Sequence, residues 1–197
     1  MGSGKVAKPI TGRDGVTRTY WVNPEPASKS SVALKATPAP ALSSTNPYSG
    51  STEYVHLEDT SGELVTVVPG ELSGSVRHIY RNGQCMAMAV ALSRETGWPI
   101  VTREFELELG GEKKRLLHHA YVLSPDGHLV DIDGYLDWEG DRVKSWRGED
   151  IVTVTEADHA DTLLDSYAHR LSEQDTDLAE TYLDHVLTQY EEDLARS

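Results

Sequence analysis

Residues 80–99 read YRNGQCMAMAVALSRETGWP and hold Cys85, the single cysteine of a 197-residue chain. The spacing predicts a helix from about Cys85 to Thr96. Met86, Ala89, Val90 and Leu92 give it an apolar face, and Ala87 and Ala91 permit close packing. Gly97 ends it, and Pro99 two residues later prevents continuation. Asn82 is the expected cap of this helix, and Gly83 leaves the approach to the thiol open. A cysteine in the first turn meets unpaired backbone N–H groups and the positive end of the helix dipole, which favour thiolate. Against that stands the ordinary role of a lone cysteine in an Ala/Met-rich helix, a small core residue.

Working outward, "EYVHL" and "ELVTVV" within residues 53–68 read as two short strands joined by "EDTSG". Val76 to Tyr80 leads into the Cys85 helix, either helical or extended. Residues 101–109 alternate as a strand, and Gly110-Gly111 turns it. "RLLHHAYVL" and "GHLVDID" are then strands on either side of "SPDG". Pro125 suits the second position of a type I turn, and Gly127 suits the left-handed residue of a G1 bulge. With that turn Ser124 faces His128, Tyr121 faces Asp131, and His119 faces Asp133. His119, Tyr121, Asp131 and Asp133 then share one side of the sheet, and His118 points to the other.

Charge is unevenly spread. Residues 1–51 carry six Lys and Arg against two Asp and Glu, residues 52–154 ten against eighteen, and residues 155–197 two against twelve; the whole chain is −14. An acidic body repels phosphates, so nucleic acid is not an expected partner. Residues 12–22 begin with an Asp14-Gly15 turn and then alternate, as a short strand or hairpin. The Pro-, Ser- and Ala-rich stretch 23–51 has the composition of a flexible arm. From Thr155 onward the pattern is helical and acidic. Thr155 and Asp158 resemble a capping pair. Leu163, Leu164, Tyr167 and Leu171 make one apolar face, and Leu178, Tyr182, Val186, Leu187, Tyr190 and Leu194 make a second. The expected division is therefore a strand element on an arm (1–51), a body (52–154) and an acidic helical hairpin (155–197). The arm and the hairpin are candidate partner or oligomer contacts.

A single cysteine excludes an intramolecular disulfide framework and fits a reducing compartment. The first residues lack the apolar stretch of a secretory signal, and there is no run of about 18 apolar residues. No membrane span and a cytoplasmic location are the expectation.

A thiol that attacks a carbonyl needs a proton acceptor, a group that orients it, and an oxyanion site. His119 is the candidate acceptor, with Asp131 or Asp133 to hold its ring; His118 takes over if the register slips by one. The Cys85 backbone N–H is the candidate oxyanion donor, with Gln84 as an auxiliary. Tyr121, Tyr135 and Trp138 are candidate walls of a substrate cleft, while Trp98 and Trp146 either line it or pack. Other sites are weaker. The carboxylates of "DIDGYLDWEGD" miss the EF-hand spacing, because Gly134 directly follows the second Asp. Cys85, His119 and Asp131 are all zinc-ligand types, but no CxxC or HxxxH pair supports a metal. "GSGK" at residues 2–5 lacks the preceding strand of a phosphate loop.

The order "RNGQCMAMAVALSRETGWPI" followed by "HHAYVLSPDGHLVDIDG" resembles the papain-like cysteine enzymes, and within them the transglutaminase-like branch. The matching residues are Gly83, Cys85, Gly97 and Pro99, then His119 to Val122, then Asp131, and they span residues 80–134. The resemblance implies an α+β fold, an antiparallel sheet packed on the Cys-bearing helix, here with the C-terminal helical hairpin added. It implies a Cys85-His119-Asp131 triad, no cofactor, and amide acyl transfer on a protein or peptide as a peptidase, deamidase or transglutaminase. Met86 stands where the family often has an aromatic residue, the His-to-Asp spacing is tight, and Asp131 and Asp133 compete for one role. The competing reading is a non-catalytic binding or assembly protein on the same scaffold, which would suit a phage or bacterial accessory protein.

Overall fold

The computed structural model describes residues 6–11, 17–22, 46–136, 150–167 and 175–196. The arm at 23–45 and Trp138, Trp146, Asp137, Asp141 and Leu171 lie outside the described residues. The fold is α+β. Strands β1 (Val6–Thr11) and β2 (Thr17–Val22) pair antiparallel as a hairpin, and β2 runs beside a later strand of the main sheet. A second two-stranded ribbon follows, β3 (Val55–Glu58) with β4 (Leu64–Val67). Two helices come next, α1 (Gly74–Arg81) and α2 (Cys85–Thr96). The main sheet is built from β5 (Ile100–Leu109), β6 (Glu112–Leu123), β7 (Leu129–Asp131), β8 (Gly134–Leu136) and β9 (Asp150–Thr155). Its order is β8-β7-β6-β5-β9, antiparallel throughout. Helices α3 (Ala160–Tyr167), α4 (Thr176–Glu180) and α5 (Leu183–Arg196) complete the chain.

Helix α2 has the expected limits, and Gly97 caps it in the left-handed conformation at φ 72°. Its surroundings differ from expectation. Cys85 through Ser93 are all buried, so the helix is enclosed rather than one-faced. It packs on β6 and is covered by α1, α3 and α4. A helix covered all round must be apolar all round, and the alanines at 87, 89 and 91 admit neighbours on every side. The region before it also differs. Asn82 caps the end of α1 rather than the start of α2, donating from Nδ2 to the His78 carbonyl at 2.9 Å. Gln84 holds the N-cap position of α2 and makes no side-chain capping bond.

Gly83 sits under the β3–β4 turn. A Cβ at this position would stand 3.2 Å from Asp59 Cα and 3.3 Å from the Glu58 carbonyl oxygen. Close approach of two backbones, and not access to the thiol, is what requires glycine here. The turn is itself well fastened. One carboxylate oxygen of Asp59 accepts from the Ser61 hydroxyl and from the N–H groups of Ser61 and Glu63, at 2.7, 2.8 and 3.0 Å. The Thr60 N–H donates to the Asn82 carbonyl at 2.7 Å, tying the ribbon to the segment just before Cys85.

The "SPDG" turn forms as its residues predict. Gly127 has φ 85°, its N–H donates to the Ser124 carbonyl at 2.9 Å, and the Ser124 N–H donates to the His128 carbonyl at 2.9 Å. The β6–β7 register, Val122 opposite Val130, follows from it. The strand predicted through Asp133 breaks at Ile132 instead, and β8 turns back against β7. Upstream lies an irregularity that alternation does not reveal. Arg103 pairs with His119 but Glu104 pairs with Leu117, so His118 is an extra residue in β6. Such a bulge re-aims the strand. Leu117 and Ala120, three residues apart, both contribute to the core around α2. Val101, Tyr121, Leu123 and Leu129 form a second cluster on the sheet.

The C-terminal helices share the α2 core. Leu178, Tyr182, Val186 and Tyr190 are buried in it, with Tyr182 edge-on to Tyr80 and Tyr190 edge-on to Trp98, at ring separations of 5.7 and 5.3 Å. Trp98 therefore packs against this core. Thr155 closes β9 and does not cap a helix; a 3-10 turn at Ala157–His159 intervenes before α3. Strand β9 itself went unpredicted.

Gly83→Ala is expected to lower unfolding free energy by about 1–3 kcal/mol, because backbone must move to seat the methyl group. Urea denaturation of the two proteins checks it: an unchanged midpoint would show that the turn yields freely.

Candidate active site

The start of α2, the bulged part of β6 and the end of β7 meet at one cleft of about 410 Å³. Cys85, His119 and Asp131 all line it, and each is less than a tenth exposed. The His119 ring lies between the other two on this cleft. Its Nε2–H donates to Asp131 Oδ2 at 2.9 Å, and the neighbouring Cys85 acts on its proton. The other Asp131 oxygen accepts the Asp133 N–H at 2.8 Å, which fixes the carboxylate plane.

Burial alone would drive the His119 pKa down. The neighbouring Cys85 charge, the Asp131 hydrogen bond and the Cys85 hydrogen bond outweigh it and raise the ring from 6.5 to about 10. Beside Asp131 and Cys85 the buried imidazole is thus favoured in its protonated form. Gln84 at the N-cap of α2 makes no side-chain capping bond to its first turn. The Cys85 N–H is available to an oxyanion at the positive end of the helix.

The remaining sequence candidates divide. Asp133 is on the cleft but does not orient the histidine; it is bound by Arg77 Nη1 at 2.9 Å and by the Arg81 guanidinium. The turn after β7 sends Asp131 to His119 and Asp133 to α1, so the two carboxylates have separate work. His118 lines the cleft and packs edge-on to Phe105, with 4.7 Å between ring centres. Tyr121 lines the cleft beside the His119 ring, 4.4 Å away.

Gln84 is a correction. Its side chain is buried and turned from the thiol, with Oε1 accepting the Asp175 N–H at 3.1 Å. Residues adjacent in a helix point about 100° apart, and Gln84 lines a separate cavity beneath the β3–β4 ribbon. It is placed to anchor α4, not to bind an oxyanion at Cys85. Tyr135 is a second correction. Its ring packs 4.4 Å from His128, and the β8 residue that lines the cleft is its neighbour Leu136. Trp138 lies outside the described residues. Thr60 and Arg81, which the sequence reading passed over, also line the cleft. Among the described residues no group of three or more His, Cys, Asp or Glu is arranged to hold a metal ion. No helix among them is long and apolar enough to cross a membrane.

Compared with family models, curated proteins and solved structures, the chain matches none.

The sign of each contribution to His119 makes a titration test. By NMR its ring should titrate near pH 10 in the native protein. Cys85→Ala and Asp131→Asn should each move the midpoint down, since each removes a raising partner. The double variant should fall below the ordinary histidine value near 6.5, because only burial then remains. A midpoint indifferent to both substitutions would mean that the three groups do not interact.

Proposed function

We propose that this protein is a cysteine-dependent acyl-transfer enzyme acting on an amide, with Cys85, His119 and Asp131 as its triad. The observation that carries the reading is the His119 ring hydrogen-bonded to the Asp131 carboxylate on a cleft that Cys85 lines as well. In this reading the Cys85 thiolate adds to the amide carbonyl carbon. The C=O π electrons move onto oxygen, where the Cys85 N–H receives the oxyanion. The C–N bond then breaks, and the His119 imidazolium gives its proton to the departing amine, leaving a thioester on Cys85. His119, now neutral, takes a proton from the second nucleophile as it adds to the thioester. Collapse of that adduct breaks the C–S bond, releases the acyl product and expels the Cys85 thiolate, which restores the thiolate–imidazolium pair. Asp131 keeps the ring in one tautomer and orientation throughout.

Water as second nucleophile gives a peptidase or deamidase; an amine gives a transglutaminase. A protein or peptide substrate fits a site that lies on the surface beside an exposed turn. The packing of α2 on β6, with the nucleophile in the first turn of the helix and the histidine on the strand, supports assignment to the papain-like, transglutaminase-like scaffold.

Iodoacetamide distinguishes an enzyme from a binding protein on the same scaffold. Cys85 of the native protein should be alkylated well below pH 8, and His119→Ala should slow that labelling by on the order of 10²-fold. A thiol that reacts only after the protein unfolds would rule the enzyme out and leave the binding role.

A further inference from the structure

The cleft contains a cationic group that the triad does not use. Arg77 and Arg81 stand four residues apart on α1, which puts them on one face of the helix. Both bind the same carboxylate, Asp133. Arg77 Nη1 also donates to the Ile132 carbonyl at 3.2 Å, so this side chain fastens the β7–β8 turn to α1. Arg81 makes no such backbone contact. It gives Nε and Nη2 to Asp133, lines the cleft, and keeps a side chain 36% exposed, against 10% for Asp133.

Two guanidinium groups of α1 share the Asp133 carboxylate, the nearer of them four residues before the thiol. Asp131, hydrogen-bonded to the His119 ring, also acts on Arg81. The chain as a whole is −14. Screening confines the field of distant charges to about 8 Å at physiological salt, so the groups on the cleft govern what it attracts. Among the described residues Arg81 reaches Asp133 through Nε and Nη2 only, and a guanidinium on a cleft is suited to a carboxylate.

We propose that Arg81, held in place by Asp133 and backed by Arg77, binds a carboxylate of the substrate, so that the amide presented to Cys85 belongs to a peptide with an acidic group beside the reacting bond. This rests on the acyl-transfer reading and names the substrate class for the same site. Arg81 is then a specificity residue, one that selects which amide reaches the thiol and leaves the chemistry to the triad.

Two alkylating reagents of nearly equal size separate this role from a structural one. Iodoacetate carries a carboxylate and iodoacetamide does not, and both report at Cys85. The native protein should favour iodoacetate, relative to a free thiol, and Arg81→Gln should reduce the iodoacetate-to-iodoacetamide rate ratio by about fivefold or more. Arg94→Gln removes the same charge from the far end of α2, where Arg94 pairs with Asp161, and should change the ratio by less than about twofold. If Arg81→Gln slows both reagents together, or shifts the ratio no further than Arg94→Gln, the proposal is overturned. The native protein supplies a second measurement that does not depend on the variant folding. N-acetyl-aspartate should protect Cys85 from iodoacetamide at concentrations where N-acetyl-asparagine does not, and equal protection would overturn the proposal. Failure of the triad reading looks different, because native Cys85 would then react with neither reagent.

Discussion

Everything in this fold is arranged around a helix that has no outside. From Cys85 to Ser93 every residue of α2 is buried, against β6 on one side and α1, α3 and α4 on the others. The hydrophobic effect asks for such a helix to be apolar on all faces, and close packing asks for it to be thin. Alanine at three alternate positions meets both demands. The N-terminal end reaches a cleft, and there the residue is a thiol. A side chain set in so constrained an element cannot drift with a loop, which holds Cys85 beside the His119 ring.

The surroundings of that end are positioned by contacts of a different kind. The β3–β4 turn is held by its own Asp59, whose carboxyl lies well below the usual range because the Ser61 hydroxyl and then the Glu63 N–H stabilise its charge. That turn lies on Gly83 and accepts no side chain beneath it. On the opposite wall, Asp131 is held by the Asp133 N–H, and Asp133 is held by two arginines of α1. Each catalytic candidate thus rests on a polar contact, which rests on another. These contacts matter less for net stability than for fixing one geometry among several that the apolar core alone would tolerate.

Much of this was legible in the chain. The α2 limits followed from Gly97 and Pro99, and the β6–β7 register followed from Pro125 and Gly127, because local backbone chemistry decides both. That register set His119, Asp131 and Asp133 on one side of the sheet but put Asp133, not Asp131, opposite the ring; the turn after β7 decides for Asp131. What escaped was decided elsewhere. Gln84 looks like a partner for the neighbouring thiol until α4, ninety residues on, claims its side chain. Asn82 looks like a cap for the wrong helix, because a short α1 ends where α2 was expected to begin its approach. Strand β9 has an alternating β-branched pattern in residues 151–155, a signal present in the sequence and overlooked beside the acidic segment before it. Tyr135 and Leu136 exchange sides of the sheet because the chain turns at Ile132 and Asp133. The His118 bulge has no local signature at all: it is visible only when β6 is laid against β5.

That bulge divides one long hairpin into two mechanically different halves. Residues 119–123 keep their register with 99–103 through α2 and the core. The half beyond, 104–117, is paired in a register of its own and ends in an exposed turn. A phase break of this kind lets the outer ribbon lengthen, shorten or change its charge in steps without rotating His119 off the thiol. It is a place where the outer ribbon can be rewritten while Cys85, His119 and Asp131 stay where they are.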